Sequence, residues 1–362
     1  MGKTKAGPFR CALRWVGGFV GLIALLIAAV LVFLTVTEYK PADTEEMFVA
    51  EGAQKTLSEG DTIRVMTWNI GYGALGDNAD FFMDGGSMVK TAEKKRLQRN
   101  LDDMVSGIGS VEPDILFLQE VDINSSRSEY VDEFAFMQEN LSGMDSTFAN
   151  NFLVKYLPYP IPALGKVNSG IAVFSQYALE SAERIQLPIP FKWPVRMANL
   201  KRCLLVTRVP VQGSDKELVL VCLHLEAYDD GSGKAAQTEM LAQLLQDEAK
   251  RGNYVIAGGD FNQIFPGGLE AFPNEHPDLW TPGLLTEDQL PAGWSYAYSL
   301  DTPSCRLLNQ PYNPADTANT QYYVIDGFIL SPNVELELVE NLDLGFANSD
   351  HNPVHISVRL AG

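Results

Sequence analysis

One order of apolar and polar positions occurs twice along the chain. The run "TIRVMTWNI" from Thr62 is apolar enough for an extended strand, and residues 92–108 follow it with Leu97, Leu101, Met104 and Ile108 on one helical face. Pro113 stops that helix ahead of "DILFLQEV", a second strand-length run. Further on, "KELVLVCLHLEA" predicts a strand, "KAAQTEMLAQLLQDEAKR" a helix with Leu241, Leu244 and Leu245 inward, and "NYVIAGGDF" another strand. "SGIAVFS" at 169–175 and "YYVIDGFIL" at 322–330 add two strand candidates, while the Pro- and Gly-rich residues 264–320 read mostly as loops. Strand–helix–strand units separated by long loops predict an α/β domain whose sheets are covered by helices.

A different pattern precedes both units. Residues 15–37 form an uncharged run of 23, which as a helix rising about 1.5 Å per residue crosses a hydrocarbon core of about 30 Å. Lys3, Lys5, Arg10 and Arg14 lie before it and Glu38, Asp43, Glu45 and Glu46 after it, so the positive-inside rule puts the N-terminus in the cytosol and the rest outside. The expected organisation is a short cytosolic tail (1–14), a transmembrane signal anchor (15–37), a polar linker (38–60) and a single catalytic domain (61–362) on the outer side of a plasma membrane. A cleaved signal peptide is the competing reading; the length of the run and the lack of an A-x-A-like site closing it favour the anchor. The short tail carries no recognisable eukaryotic sorting signal, which fits a bacterial membrane.

Charge narrows the partners. Of 27 Lys and Arg, four fall in the first 37 residues, leaving 23 against 46 Asp and Glu, a net charge of −23 for the remainder. Phosphate neutralisation supplies most non-specific affinity for nucleic acid, so an acidic surface disfavours polynucleotides unless a local basic groove lies within it. Cys11 sits at the cytosolic edge of the span, and Cys203, Cys222 and Cys305 can form at most one bridge. With no CxxC there is neither a disulfide framework nor a thiolate zinc site, and Cys222 in "LVLVCLHL" reads as a buried strand residue. No obligate protein partner is evident.

The informative residues are polar ones at the ends of apolar strands. Asn69 ends "VMTWN", Glu120 ends "ILFLQE", His224 follows "LVLVCL", Asp260 and Asn262 close "YVIAGGDFN", Asp326 lies in "YYVID", and Asp350 and His351 stand in "NSDHNPV". Singly, each has an ordinary explanation: Asn69 as a turn cap, Glu120 as a solvated strand end, His224 as a satisfied core histidine, Asp326 as the start of a turn with Gly327, Asp350–His351 as a loop ion pair. The two glycines of "GGDFN" indicate a close backbone approach as well as a turn.

Taken in order, "TWNI", "LQEV", "HL", "GGDFN", "VIDGF" and "SDHNPV" resemble the endonuclease/exonuclease/phosphatase superfamily, which includes deoxyribonuclease I-like nucleases, neutral sphingomyelinases and inositol polyphosphate 5-phosphatases. The resemblance covers about residues 62–358 and implies a four-layer α/β/β/α sandwich of two packed β-sheets flanked by helices. It makes Glu120 the main ligand of a magnesium ion, with manganese as the other candidate, and adds Asn69 and Asp350 to the metal set. By the same resemblance Asp260 orients or deprotonates the attacking water, Asn262 and His224 contact phosphoryl oxygens, and His351 faces the scissile phosphate with Asp326 fixing it. Which of Asp260 and His351 is the base stays open.

Two departures bear on the substrate. Gln176 follows "GIAVFS" where many relatives have arginine, and the helix after "HL" opens with Lys234 in "KAAQ" where relatives often show R-x-x-Q. Arg306 and Arg202 are candidate replacements for the lost cations, with an ordinary surface arginine the commoner reading for Arg202. Trp193, Trp280, Trp294 and the tyrosines around Tyr312 are set to line a cleft, touch a bilayer or simply pack. The expectation is a membrane-anchored, extracytoplasmic phosphohydrolase acting on a lipid-like or small phosphoester. An extracellular metal-dependent nuclease and a catalytically silent, membrane-tethered binding module are the alternatives.

Overall fold

A computed structural model describes residues 8–316 and 319–361; Lys3 and Lys5 of the expected cytosolic tail lie outside them. The first helix, Pro8–Thr37, is long enough to include the expected span and begins within the expected tail. Within its stretch Ala12–Thr37, an 18-residue window has a mean hydropathy of 3.0 and is almost uncovered by protein.

Both anticipated strand–helix–strand units form. Thr62–Asn69 and Ile115–Asp122 pair in parallel through the helix Lys94–Val111, and Glu217–His224 and Tyr254–Asp260 through the helix Ser232–Arg251. Parallel neighbours need such a crossover, and covering both sheet faces explains the continuous apolar runs. Leu218, Leu220 and Cys222 turn into a core shared with Val65, Phe117 and Phe328 of the neighbouring strands, whereas Val219, Val221 and Leu223 meet Leu241 and Leu245 of the helix. On the other side Met66 and Trp68 pack against Leu97, Leu101 and Met104.

The result is a six-stranded and an eight-stranded sheet face to face with helices outside, the four-layer sandwich. The six-stranded sheet runs in the order 334–341, 354–360, 62–69, 115–122, 165–175, 145–157. The main path of the other runs 44–46, 181–186, 203–212, 217–224, 254–260, 326–330, 295–297. Residues 264–320 are mostly loops, with short strands at Gly283–Leu284, Ser295–Ala297 and Cys305–Arg306.

Residues 38–60 lie along the domain instead of hanging free. Thr44–Glu46 pairs antiparallel with Ser181–Gln186 as an edge strand, and Leu57–Ser58 pairs in parallel with Val211–Gln212. The end of the first helix is docked as well. Leu34 is buried among Phe152, Leu164 and Met197, Trp193 Nε1 donates to Thr35 Oγ1 at 3.3 Å, and Glu38 binds Arg196 at 3.0 Å and Lys201 at 3.4 Å.

Candidate active site

Strand direction and register gather the polar strand ends. Asn69, Glu120, His224 and Asp260 all occupy the C-terminal parts of parallel strands, and within the second sheet Asp260 lies opposite His224 on one side and Asp326 on the other. The glycines before Asp260 allow this. A Cβ on Gly258 would sit 2.3 Å from the Phe328 ring, and one on Gly259, at φ +150°, would sit 1.9 Å from the Leu223 carbonyl oxygen. The loop carrying Asp350 and His351 is clamped onto the first sheet. Trp68 Nε1 donates to the His351 carbonyl at 2.9 Å, and Ser349 Oγ to that of Asn69 at 2.7 Å.

Asp260 is the hub. Its Oδ2 accepts from Asn69 Nδ2 at 3.0 Å and lies 3.3 Å from His224 Nε2 and 3.8 Å from His351 Nε2, while its Oδ1 accepts from the Asn262 amide at 2.8 Å. On the far side of the His351 ring, Nδ1 is 2.8 Å from Asp326 Oδ2, which also accepts from Ser304 Oγ at 2.8 Å. Burial pushes the Asp260 carboxyl up to about 6, reinforced by Asp326 and opposed by His351. Burial works against charge on His351, yet Asp326, Cys305 and Asp350 hold its pKa well above that of an ordinary histidine. His224 goes the other way: burial, then Arg202 and His351, hold it well below, and its Nδ1 is buried with no hydrogen-bond partner.

Glu120 takes an unusual backbone. Its φ is +55°, at the point where the register against Gly165–Ser175 shifts between Leu118 and Val121, and Asn262 has φ +50°. Left-handed conformations at non-glycine residues cost of order 1–3 kcal/mol and cluster where a side chain must be re-aimed. Glu120, Asp350 and Asn69 line one cavity with His224, Asp260, Asn262 and His351. Asp350 is pushed up to about 7 by burial, with His351 opposing and the charge of Glu120 adding to the rise.

Arg306, 1% exposed, lines the cavity and donates to the carbonyls of Gly76, Ala79, Leu307 and Gln310, which braces two loops, while its Nε has no hydrogen-bond partner among the described residues. Arg202 is 4% exposed and therefore no surface arginine; it lines the cavity 3.9 Å from Glu226, with Nε and Nη1 lacking hydrogen-bond partners. Neither arginine is on the surface, and both line the cavity. Lys234 is buried and its pKa is lowered by that burial, but it does not line the cavity. Gln176 lies beyond Ser175, which pairs with Ile115 at the strand end opposite Glu120, so the missing arginine there takes no cation from this site. The cation that the sequence reading missed is Arg127. Held by Asp122 at 2.9 and 3.0 Å, it lies 3.7 Å from the Tyr72 ring centroid and also lines the cavity. Asp84, which accepts from Tyr228 Oη at 2.7 Å, was equally unmarked, because nothing near it in sequence sets it at a strand end.

The cavity measures about 760 Å³. Its polar floor is the cluster just described; the rest of the lining is mostly apolar and includes Leu31 and Leu34 of the first helix. Trp280 lines it, with Nε1 donating to the Ala227 carbonyl at 3.0 Å. Trp294 is a core residue, and Trp193 is 56% exposed beside the first helix.

Residues 66–351 match the model of the Endonuclease/Exonuclease/phosphatase family. The chain belongs to this family. Similar solved structures include an endonuclease/exonuclease/phosphatase from Beutenbergia cavernae, at 18% identity and TM-score 0.54 over 83% of this chain and 72% of that one. The human Nocturnin catalytic domain with bound sulfate matches at 19% and 0.52, over 87% and 97%, and a family protein from Bacteroides vulgatus at 17% and 0.52, over 83% and 99%. At these identities the likeness is one of fold. No curated protein matches the sequence. Endonuclease/exonuclease/phosphatase proteins are metal-dependent phosphoester hydrolases, and this chain is a hydrolase acting on phosphoester bonds.

The family's divalent ion fits residues that are present. Among the described residues the Glu120 carboxylate makes no side-chain hydrogen bond, Asp350 is buried with its carboxyl raised partly by Glu120, and Asn69 Oδ1 accepts only the Gly71 amide, at 3.0 Å. Two carboxylates and an amide oxygen form an oxygen-only donor set that suits a hard cation such as Mg²⁺. Asp260, Asp326 and His351 also offer ligand atoms within 4.8 Å of one another, but short hydrogen bonds tie His351 to Asp326 and Asn69 to Asp260.

Proposed function

We propose that this family member is a membrane-anchored, extracytoplasmic, magnesium-dependent phosphohydrolase that acts by in-line attack of water on a lipid-like phosphoester. The observation that carries the reading is the convergence of His224, Asp260 and His351 beside Glu120 and Asp350 on one cavity, with Asp326 bonded to the His351 ring from behind. Glu120, Asp350 and Asn69 hold the metal, Mg²⁺ or Mn²⁺, which supplies charge neutralisation at the phosphoryl oxygens. Asp260 holds the attacking water, and the Asp260–His351–Asp326 unit takes its proton, with Asp326 keeping the imidazole aligned. His224 lines the cavity beside the phosphoryl position, Asn262 meets the phosphoryl group through its second amide hydrogen, and Arg202, which also lines the cavity, brings positive charge to it.

The anchor and its orientation are supported by the uncharged run 15–37 of the first helix, with Arg14 before it and Glu38, Asp43, Glu45 and Glu46 after it. The lipid-like substrate is favoured over nucleic acid by the acidic outer domain and by the apolar walls above the floor. The test uses full-length protein and its Glu120→Ala form, each with magnesium or chelator, on a phosphatidyl lipid, sphingomyelin, duplex DNA, single-stranded RNA and a generic phosphodiester. Hydrolysis of a lipid that disappears with chelator and falls at least about 100-fold in Glu120→Ala is expected. Preference for DNA or RNA would move the assignment to a nuclease, and folded protein without turnover on any member would overturn it.

A further inference from the structure

The membrane helix does more at this site than tether the domain. A hydrocarbon core of about 30 Å needs roughly 20 helical residues, and this helix has 30. Its last two turns are where the contacts change. Residues along most of the helix are exposed, whereas Leu31 and Thr37 are half-buried and Leu34 is 8% exposed, a spacing of three that turns one face onto the domain. Leu31 and Leu34 line the same cavity as His224 and Asp260, with Phe152, Leu164 and Met197 beside them. Met83, Tyr159 and Val195 line it too while 46%, 68% and 57% exposed, which sets an apolar mouth. Exposed aromatic and aliphatic groups next to the end of a spanning helix are typical of a membrane–water boundary.

We propose that the apolar arm of the cavity receives the acyl chain of a membrane lipid phosphoester, so that the anchor helix forms one wall of the substrate site. This rests on the phosphohydrolase reading for the floor of the cavity and adds where the rest of the substrate goes. A lipid is the occupant argued for because the mouth opens beside the span. The arm also continues without a break to the phosphoryl-facing groups, and Leu31 and Leu34 belong to both span and wall.

The experiment takes full-length protein in nanodiscs and two phosphodiesters with one head group, one carrying long acyl chains and one carrying chains of about two carbons. Leu31→Trp and Leu164→Trp each narrow the arm without touching the floor. Expected is a loss of about tenfold or more in kcat/KM on the long-chain substrate, with short-chain turnover within about twofold of the parent. A second readout needs no catalysis: a phospholipid with a fluorescent acyl chain, added in chelator, should bind saturably, and Leu31→Trp should weaken it about tenfold. Equal effects on both substrates, or no saturable probe binding while the short-chain ester is still hydrolysed, would overturn the acyl site and leave the hydrolase reading standing. Saturable, variant-sensitive probe binding with no ester hydrolysed would do the reverse. Displacement of the probe by a plain fatty acid as readily as by the phospholipid would overturn the commitment to a phosphoester lipid.

Discussion

Asp84 shows how one buried carboxyl reports on its surroundings. Burial pushes it up to about 6 against an ordinary value near 4, although the Tyr228 hydrogen bond pulls the other way. The folded state therefore holds the proton more tightly than the unfolded chain. Its stabilising contribution is full below about pH 4 and is lost as pH rises through about 6. Asn keeps an oxygen for Tyr228 and carries no charge. Asp84→Asn is accordingly expected to be more stable than the parent at pH 8, by up to about 3 kcal/mol, and no more stable at pH 4. Urea unfolding at the two pH values decides this; an equal gain at both would mean that titration of Asp84 has no part in it. Glu120 is a different case: its side chain could be singled out from sequence, but its left-handed backbone at the strand irregularity could not.

At the scale of elements, the junction between the first helix and the domain depends on Glu38. Its side chain and that of Lys201 are 2% and 3% exposed, so the pair is closed off from water on both sides. Removing one partner of a buried pair leaves an uncompensated charge and costs of order 3–5 kcal/mol. Glu38→Ala should lower the urea midpoint and speed protease cleavage between Thr37 and Thr44, with Arg196→Ala milder because Arg196 is 43% exposed. Unchanged cleavage would show that the helix end is held by Leu34 and Thr35 alone. Elements also differ in how far local pattern marks them. The doubly covered strands are marked by unbroken apolar runs, whereas Asp145–Leu157 mixes Asn150, Asn151 and Lys155 into its length and Ser181–Gln186 is mostly polar. Such strands form because a neighbour offers hydrogen bonds, a condition that lies outside the segment itself.

For the whole molecule, the proposed metal ligands sit at strand ends and in the loop before the last strand, and the three main apolar cores lie between layers, so folding and metal loading are expected to be separable. Magnesium at about 100 times its dissociation constant is expected to add about 3 kcal/mol, a rise of several degrees in Tm, while chelator leaves the far-UV circular dichroism unchanged. Collapse of the spectrum in chelator would place the ion in the folding core instead. The charge of the outer domain works at the same scale. A net −23 spread over the surface opposes polyanions at a distance, and the cations at the site are few and buried.

By itself the sequence determined the two strand–helix–strand units, the long apolar N-terminal helix and the polar ends Asn69, Glu120, His224, Asp260, Asp326 and His351. A polar group closing an apolar run conflicts with burial, and that conflict is visible locally. Only the tertiary structure decided how the arginines are used. Arg306 and Arg202 are alike as letters and both line the cavity, yet Arg306 donates to four carbonyls, those of Gly76 and Ala79 far along the chain, whereas Arg202 keeps two buried donors unpaired. The same holds for Arg127, for Asp84 and for the meeting of Leu31 and Leu34 with Phe152 and Met197. Hydrogen-bond satisfaction and cavity walls are properties of groups far apart in the chain, and no local period encodes them.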